Sequence, residues 1–151
     1  KKKWIKFQKK KLSFFKKNKY KFLINNVDKM NKFNRHDLSL CILLLPFLNN
    51  SKKLILLRKI NKSLNSGGAL IILDKIYADN SVSENMFNQL YMDFKSDSFS
   101  KNEIWNKSKL LRSSMNLNTN DQNFQLFKKS GFKKFEIFFR WFNFCGYIIY
   151  K

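Results

Sequence analysis

The chain has 151 residues, the length of one domain with a sizeable core, and 44% of its residues are hydrophobic. Its longest apolar run, Leu38–Leu48, contains Pro46 and is too short to span a bilayer. Two cysteines, one histidine and the lack of HxxH, CxxC or clustered carboxylates argue against a disulfide framework and against metal catalysis.

The net charge of +21 has two interpretations. A strongly basic chain is typical of proteins that bind a polyanion, usually nucleic acid. The lysines are, however, spread through every polar segment and accompany abundant Asn, Phe and Ile, whose codons are also A/T-rich. Compositional drift of the genome would raise all four residue types together, and we favour this interpretation.

The sequence starts at Lys1 and not at methionine, so we interpret it as starting inside a longer protein. The lysines at the start are not followed by an apolar core long enough for a signal peptide. Cys41 and Cys145 lie in apolar, strand-like runs, as buried thiols in a reducing compartment do. The sequence therefore predicts a cytoplasmic protein.

The first part of the chain predicts one helix and two strands. Residues 2–17 have apolar side chains at helical spacing, with lysines on the other faces. Tyr20–Ile24 is a short strand candidate that leads into Asn25-Asn26-Val27. The continuously apolar segment Leu38–Leu43 predicts a central parallel strand that is covered on both faces.

A helix, a glycine pair and a strand follow, in the order of an αβ unit. Asn50 and Ser51 are predicted to cap the helix. The segment Asn65-Ser66-Gly67-Gly68 is predicted to end it, because glycine tolerates the positive φ of a helix terminus. Ala69–Leu73 then returns to the sheet. The predicted buried stripe of the helix is Leu54, Leu57, Ile60 and Leu64.

Two helices in succession interrupt the alternation of helices and strands. They are predicted over Ser83–Phe94 and Lys101–Met115, so we interpret residues 81–116 as an inserted helical lid or dimer segment. Another helix is predicted over Asn120–Lys129, where Ser130-Gly131 ends it.

The chain ends in two aromatic, β-prone runs, Phe135–Trp141 and Phe144–Tyr150, which predict an antiparallel hairpin at one edge of the sheet. The preceding order of strands and helices predicts an α/β fold with a mostly parallel, Rossmann-like sheet that lacks its first strands. Residues 1–151 form a single domain in this interpretation.

Ligands of open α/β sheets bind beyond the carboxyl ends of the strands. Asn26 follows the first predicted strand, and its amide can bind an adenine edge, but we favour the interpretation in which Asn25 and Asn26 simply shape a turn. Gly67 and Gly68 follow a helix and precede a strand, which is the reverse of a dinucleotide-binding loop, so their predicted role is structural.

Two further clusters are open to two interpretations each. Asp93 and Lys95 form a solvated pair, which is the interpretation we favour, or reach towards a site beneath the lid. The aromatic run Phe138–Phe142 is interpreted either as a surface that stacks on nucleic-acid bases or as hydrophobic packing of the edge hairpin, for example at a dimer contact. We favour the packing interpretation.

Several segments together resemble the carboxy-S-adenosyl-L-methionine synthases, a family of class I S-adenosylmethionine (SAM)-dependent methyltransferase fold. The resemblance extends from about Trp4 onward, and the aromatic hairpin is among its most specific parts. The matching segments are Leu64–Leu70, Lys75-Ile76, Phe87-Asn88, Asp93-Phe94-Lys95, Glu103-Ile104, Lys129–Phe132 and Phe142-Asn143-Phe144.

The resemblance implies a homodimer that converts SAM and prephenate into carboxy-SAM and releases phenylpyruvate. In that family a partner enzyme uses the product to build 5-oxyacetyluridine at the tRNA wobble position. The implied cofactors are SAM and carboxy-SAM, and the implied small-molecule partner is prephenate. No membrane is involved, and direct binding of tRNA is not required.

The resemblance also implies four cofactor-binding positions, although it identifies no catalytic residue. The family's adenine-contacting residues fall at Asn26 and Val27, and an asparagine that follows the next strand falls at Ile42. The arginine that pairs with the cofactor's carboxylate falls at Ser108, which cannot form a bidentate clamp. The glycine-rich cofactor loop and the acidic ribose-binding residue fall upstream of Lys1.

These departures predict a C-terminal fragment or a diverged member of the family. Two alternatives are another class I SAM-dependent methyltransferase and a non-catalytic, basic RNA-binding or dimerisation module. Binding of SAM would separate the enzymes from the module, and a steep salt dependence of RNA binding would favour the module.

Overall fold

A computed structural model describes residues 23, 25–27, 30 and 33–151. The chain divides into two compact units, Lys1–Met30 and Asn31–Lys151. In the first unit, the carbonyl of Val27 accepts a hydrogen bond from the N–H of Met30 over 3.2 Å. The helix predicted over residues 2–17 and most of the strand predicted over residues 20–24 lie outside the described residues.

The second unit is an α/β structure with a mixed sheet. The described strands have the order β1-β2-β4-β3, in which β1 and β2 are parallel and the other two pairings are antiparallel. The elements in chain order are β1 (His36–Ile42), a 3-10 turn (Leu45–Phe47), α1 (Asn50–Ser63), β2 (Leu64–Lys75), α2 (Ser81–Ser96), α3 (Lys101–Arg112), α4 (Asn120–Lys129), β3 (Lys134–Trp141) and β4 (Phe144–Tyr150).

The core lies on one face of the sheet. Side chains alternate along β2, so that Leu70 and Ile72 are buried, and they pair in register with Ile149 and Tyr147 of β4. The ring of Phe127, from α4, lies 5.3 Å from that of Tyr147 and covers this face. The other buried apolar residues of α1 and α4 are Leu56, Leu57, Ile60 and Leu126.

Within the described residues, strand β1 is covered on one face only. Cys41 is buried, but Leu38, Leu40 and Ile42 on the opposite face are 53%, 62% and 50% exposed. Among the described strands, β1 also lies at an end of the sheet, beside β2. The prediction of a central strand covered on both faces is therefore wrong for the described structure. An apolar run indicates a strand, but it does not identify the elements that cover it.

The glycine pair lies inside β2 and not at the end of a helix. Helix α1 ends at Ser63, and β2 begins with the next residue. Gly67 has a φ of +76°, and the pairing of β2 with β1 shifts register beside it. The predicted helix end over residues 65–68 is therefore wrong. The positive φ occurs at an irregularity near the start of a strand, and glycine is favoured at such a position as much as at the end of a helix.

We expect Gly68→Ala to destabilise the fold more than Gly67→Ala. A Cβ at Gly68 would lie 2.8 Å from the carbonyl oxygen of Asp37 and 3.0 Å from that of Asn65, so backbone would have to move, at about 2–3 kcal/mol. A Cβ at Gly67 meets no atom within 4 Å, and its cost is that of a left-handed backbone, about 1 kcal/mol. Urea unfolding of both variants measures the difference, and equal losses would contradict the expectation.

The predicted helices and the hairpin agree well with the structure. Helix α2 contains the predicted helix Ser83–Phe94, α3 covers all but the last three residues of the predicted helix Lys101–Met115, and α4 has the predicted bounds. Helix α1 is capped by the side chain of Asn49, one residue before the predicted caps Asn50 and Ser51. Strands β3 and β4 form the predicted antiparallel hairpin around a turn at Phe142 and Asn143.

Both cysteines are free thiols and buried, as predicted. Burial raises the pKa of the Cys41 thiol to about 12 and also raises the pKa of Cys145. The two thiols are therefore neutral packing groups at neutral pH. None of the helices in the described part of the chain combines the length and the apolar character needed to cross a membrane.

Candidate functional site

The carboxyl ends of β1 and β2 lie at the same edge of the sheet, because the two strands are parallel. Ligands of open α/β sheets bind at this edge. The chain leaves β1 through Leu43, whose φ is +51° and whose N–H donates to the carbonyl of Leu73 over 2.7 Å. The N–H of Leu44 then donates to Oδ1 of Asp74 over 3.1 Å. These bonds fix the loop after β1 against the end of β2.

Asp74 is a buried carboxyl group at this edge and is 3% exposed. Its Oδ1 accepts the hydrogen bond from Leu44, whereas its Oδ2 is buried without a hydrogen-bond partner in the described part of the chain. Burial raises the pKa of Asp74 to about 8, although backbone N–H groups and the ammonium of Lys53 oppose this effect. Asp74 is therefore mostly neutral at pH 7.

Lys53 is a buried lysine of α1 and is 2% exposed. Its Nζ donates to the carbonyl of Asn116 over 2.6 Å and to Oδ1 of Asn118 over 3.1 Å. Burial lowers the pKa of Lys53 to about 8, against the opposing effect of Asp74. Because the N–H of Asn116 also donates to the carbonyl of Pro46 over 2.6 Å, the segment after α3 is held against the loop after β1.

A series of side-chain hydrogen bonds continues from Lys53 into the core. The amide of Asn118 donates to Oδ1 of Asn123 over 3.1 Å, and the amide of Asn123 donates to the hydroxyl of Tyr147 over 3.3 Å. That hydroxyl donates to Oδ1 of Asn120 over 2.8 Å. Burial raises the pKa of Tyr147, so its hydroxyl remains a donor. The series connects the start of α4 to the sheet and to α1.

Helix α2 is anchored at the same edge by Glu84. Its Oε1 accepts hydrogen bonds from the amides of Asn88 and Asn143 over 2.8 and 3.0 Å, and its Oε2 accepts from the N–H of Ala78 over 2.7 Å. Asn143 is buried in the hairpin turn, and its carbonyl accepts from the N–H of Ile76 over 2.7 Å. Helix α2 is thus placed beside the carboxyl end of β2.

Three lysines from three elements gather beside α2, and we call Lys75, Lys95 and Lys107 the lysine cluster. The Nζ atoms of Lys95 and Lys75 lie 3.9 and 5.4 Å from the ring centroid of Tyr91. Burial lowers the pKa of Lys75 and of Lys95, and the charges of Lys75 and Lys107 lower the pKa of Lys95 further. A lysine whose pKa is lowered by neighbouring cations favours a bound anion.

Aromatic side chains line the lysine cluster. Tyr91 packs edge-on against Trp141 and Phe144, with ring centroids 5.8 and 5.3 Å apart, and Phe94 packs against Trp141 at 5.0 Å. The hairpin thus packs against α2, which supports the packing interpretation of its aromatic residues. Phe138, in contrast, is exposed.

A cavity of about 350 Å³ opens between the segment after β2 and strand β3. The guanidinium of Arg140 lies over the ring of Phe87 at 5.7 Å in its wall. The lining residues are Ala78, Asp79, Asn80, Ser83, Phe87, Ile137 and Arg140.

The four predicted cofactor-binding residues are divided between the two units. Asn26 and Val27 lie in the first unit, where the N–H of Asn26 donates to Oδ1 of Asn25 over 2.9 Å, as in a turn. Ile42 is the last residue of β1 and is exposed at the carboxyl edge, and Ser108 is half-buried in the middle of α3. Their roles in binding a cofactor stay predictions.

Asp93 and Lys95 have different surroundings. Lys95 is half-buried against Tyr91, whereas Asp93 is exposed. Asp93 is thus solvated, whereas Lys95 is partly covered by the ring of Tyr91.

Sequence reasoning missed Lys53, Asp74 and the lysine cluster as a group. Asp74 carried a usable signal, since a carboxylate that directly follows a buried apolar run lies at the carboxyl end of a strand. Lys53 carried none, because it stands beside Lys52 in a chain that is rich in exposed lysine.

Sequence comparison relates the chain to carboxy-S-adenosyl-L-methionine synthases. The protein of that name from Staphylococcus epidermidis is 32% identical over 121 residues, which cover 80% of this chain and 53% of the relative. That of Campylobacter jejuni is 38% identical over 109 residues, which cover 71% of this chain and 46% of the relative. The chain therefore spans about half the length of these relatives. No protein-family model matches the chain.

Structural comparison identifies the fold. The SAM-dependent methyltransferase SibL, solved in its apo form, superimposes on 97% of this chain with a TM-score of 0.65 and 10% identity. The matched region is 40% of the SibL chain. The predicted methyltransferase-type α/β fold is therefore confirmed.

Proposed function

This chain is a relative of the carboxy-S-adenosyl-L-methionine synthases with the fold of SAM-dependent methyltransferases, and on that premise we propose that it is the C-terminal portion of a SAM-using transferase of that kind. The proposed reaction moves a carboxyl group from prephenate to the methyl carbon of SAM, which loses a proton, and releases phenylpyruvate and water. Carboxy-SAM made in the cytoplasm would serve the modification of wobble uridine in tRNA.

The observation that carries the proposal is the edge at the carboxyl ends of β1 and β2. In a methyltransferase fold this edge receives the ligand, and here it is fixed by hydrogen bonds from the backbone to Asp74 and Leu73. It is bordered by Lys75 and by the aromatic rings of α2 and the hairpin. The edge is thus suited to a ligand that carries both a ring and negative charge.

The predicted cofactor residues fit an adenine better than they fit a carboxylate. Asn26, in the first unit, offers a donor and an acceptor to an adenine edge. The second unit, taken by itself, offers the exposed apolar side chain of Ile42. Val27 supplies a backbone amide beside Asn26. Ser108 offers one hydroxyl and no charge, so a carboxylate would have to be held by neighbouring cations such as Lys107.

We propose that residues 81–116 serve as a lid or as a dimer contact. Helices α2 and α3 expose apolar side chains in a way that suits burial against a second copy of the chain. The exposed apolar residues of this segment are Val82, Met86, Leu90, Met92, Phe94, Phe99, Trp105 and Leu110.

Incubating the full-length protein, of which we propose this chain to be the C-terminal portion, with SAM and prephenate tests the proposal. We expect mass spectrometry to detect a SAM derivative that is heavier by the mass of CO₂, together with an equal amount of phenylpyruvate. Omitting prephenate or SAM should abolish both products.

Other outcomes would assign the chain differently. Binding of SAM in calorimetry without carboxy-SAM formation would favour another SAM-dependent methyltransferase. Tight binding of RNA with a steep salt dependence, without binding of SAM, would favour a basic RNA-binding module and overturn the proposal.

A further inference from the structure

We propose that the amino edge of the sheet, opposite the edge that receives the ligand, binds the phosphate backbone of a nucleic acid. Six exposed cations of the second unit lie at this amino edge, and we call them the basic edge. They are Arg58, Lys62, Lys128, Lys129, Lys133 and Lys151. The proposal goes beyond the proposed function, because it concerns a different surface and requires no SAM.

The topology of the sheet gathers these cations from distant parts of the sequence. Helix α1 ends at the amino edge, because β2 follows it directly. Strand β4 ends there, since the N–H of Lys151 donates to the carbonyl of Gly68 near the start of β2. Strand β3 starts there, since Lys134 pairs with Tyr150, and α4 ends shortly before β3 starts. Two helix ends and two strand ends therefore carry the basic edge.

Hydrogen bonds hold these element ends together. Nε of Arg58, on α1, donates to the carbonyl of Lys129 at the end of α4 over 3.3 Å. Nζ of Lys151 donates to the carbonyl and to Oδ1 of Asn61, on α1, over 2.6 and 2.7 Å. Asn61 also borders the turn after α4, since a Cβ at Gly131 would lie 3.5 Å from its side-chain nitrogen. The cations therefore stand on a framework that is arranged before any ligand binds.

Most acidic residues of the described chain are placed elsewhere. Asp37 and Glu136 lie near the amino edge, and Oδ1 of Asp37 already accepts a hydrogen bond from Asn65 over 2.8 Å. The other described acidic residues lie between the end of β2 and the first turn of α4: Asp74, Asp79, Glu84, Asp93, Asp97, Glu103 and Asp121. Compositional drift explains the number of lysines, but it does not separate them in space from the acidic residues. The basic edge is thus a patch of one sign, which attracts polyanions.

Helix stability explains only part of the basic edge. Lys62, Lys128 and Lys129 lie in the last turns of α1 and α4, where cations interact favourably with the helix dipole. Lys133 and Lys151 flank strands, so they have no helix end to stabilise. A surface for a polyanion accounts for both groups of cations.

The chemistry of the basic edge favours phosphates over carboxylates. Five of its six cations are lysines, which act as point charges, whereas paired recognition of a carboxylate favours the planar fork of arginine. The edge crosses three neighbouring strands, β2, β4 and β3, which span about 10 Å. A linear polyanion can therefore contact several of the cations at once, as the row of phosphates in a nucleic acid does.

Fluorescence anisotropy with labelled RNA and DNA of about 20 nucleotides tests the proposal. We expect the wild-type chain to bind both, because both offer the same row of phosphates, and the affinity should fall steeply with salt. The triple variant Lys128→Gln/Lys129→Gln/Lys133→Gln should weaken binding at least about tenfold and reduce the slope of log K against log salt by about 2. Arginine at the same three positions keeps the charges and should retain most of the affinity.

The matched control is Lys52→Gln/Lys101→Gln/Lys109→Gln, which removes three charges from exposed lysines at the start of α1 and on α3. It should change the affinity by less than about threefold. Circular dichroism of each variant checks that the fold is kept. Equal losses in the two triple variants would overturn the proposal, because binding would then follow net charge alone.

Two further results would also overturn the proposal. One is a wild-type chain that binds neither oligonucleotide. The other is equally tight binding, through the same lysines, of polyglutamate or of vesicles that contain phosphatidylserine, which would assign the basic edge to an acidic protein or to a membrane surface.

Failure of this proposal and failure of the proposed function give different results. A full-length protein that binds nucleic acid through the basic edge but forms no carboxy-SAM would support the basic edge and refute the proposed reaction alone. Formation of carboxy-SAM without any binding of nucleic acid would refute the basic edge alone.

Discussion

Replacing Lys53 with methionine is expected to lower the free energy of unfolding by about 2–3 kcal/mol, because two buried acceptors lose hydrogen bonds from a charged donor. Methionine has a similar length and helix propensity, so the loss reflects the missing ammonium. Without it, the carbonyl of Asn116 and Oδ1 of Asn118 lose a donor inside the protein. The segment between α3 and α4 should loosen first.

Lys62→Met is the matched control for this prediction, since Lys62 is an exposed lysine of the same helix. It should change stability by less than about 0.5 kcal/mol. Urea unfolding followed by circular dichroism gives both values, and hydrogen exchange should show faster exchange at residues 116–123 in Lys53→Met. A loss below about 1 kcal/mol would show that the buried ammonium is not needed to hold this segment.

Local sequence patterns were sufficient to predict α4 and the hairpin of β3 and β4. The segment of α4 begins at Thr119, whose hydroxyl and the Gln122 side chain form a capping box, and its apolar residues recur at helical spacing. The hairpin has two aromatic runs on either side of a short turn. Such signals depend only on residues that are close in the sequence, so a single sequence is enough to identify them.

Features that depend on distant residues could not be predicted in the same way. A glycine pair after a helix has the same local pattern whether it ends the helix or starts a bulged strand. Gly67 and Gly68 lie in an irregularity whose position depends on the pairing of β2 with His36 and Leu38 of β1, about thirty residues earlier in the chain. The exposure of Leu38 depends on which elements cover β1. Sequence pattern alone does not contain this information.

The candidate site was predicted less completely than the fold, for a similar reason. A lysine is exposed in most proteins, and here Lys53 is buried only because asparagines more than sixty residues away supply its acceptors. The lysine cluster likewise forms only when α2 and α3 fold beside the end of β2. The family resemblance indicated the general edge of the sheet, but the contacts of these side chains come from the tertiary structure.

The second large effect concerns Asp74, whose replacement with asparagine is expected to stabilise the protein in a pH-dependent way. The pKa of Asp74 is raised by burial from 3.8 to about 8, so the folded state keeps a proton that the unfolded state releases. Stability from this group is thus fully present below about pH 4 and is lost as the pH rises towards about 8. Asparagine does not titrate, so the variant escapes this loss.

The stability difference between Asp74→Asn and the wild type should therefore grow between pH 5 and pH 8. Below about pH 4 the two proteins should be similar, because a neutral carboxyl and an amide both place a donor where Oδ2 lies and both accept from Leu44. At pH 8 the variant should be more stable by several kcal/mol, since one pKa unit corresponds to about 1.4 kcal/mol. Urea unfolding at three pH values measures this trend.

Asp93→Asn controls for the loss of one negative charge from a chain with a net charge of +21, because Asp93 is exposed. A constant difference in stability between Asp74→Asn and the wild type from pH 5 to pH 8 would mean that Asp74 is ionised throughout and is stabilised by Lys53.

The two buried groups would then form an ion pair, and Lys53→Met should lose its effect in the Asp74→Asn background. If Asp74 is neutral, Lys53→Met should still lower the stability of the Asp74→Asn variant at pH 6. The reason is that the hydrogen-bond acceptors of Lys53 are Asn116 and Asn118. The double variant thus separates a buried ion pair from a buried hydrogen-bond network.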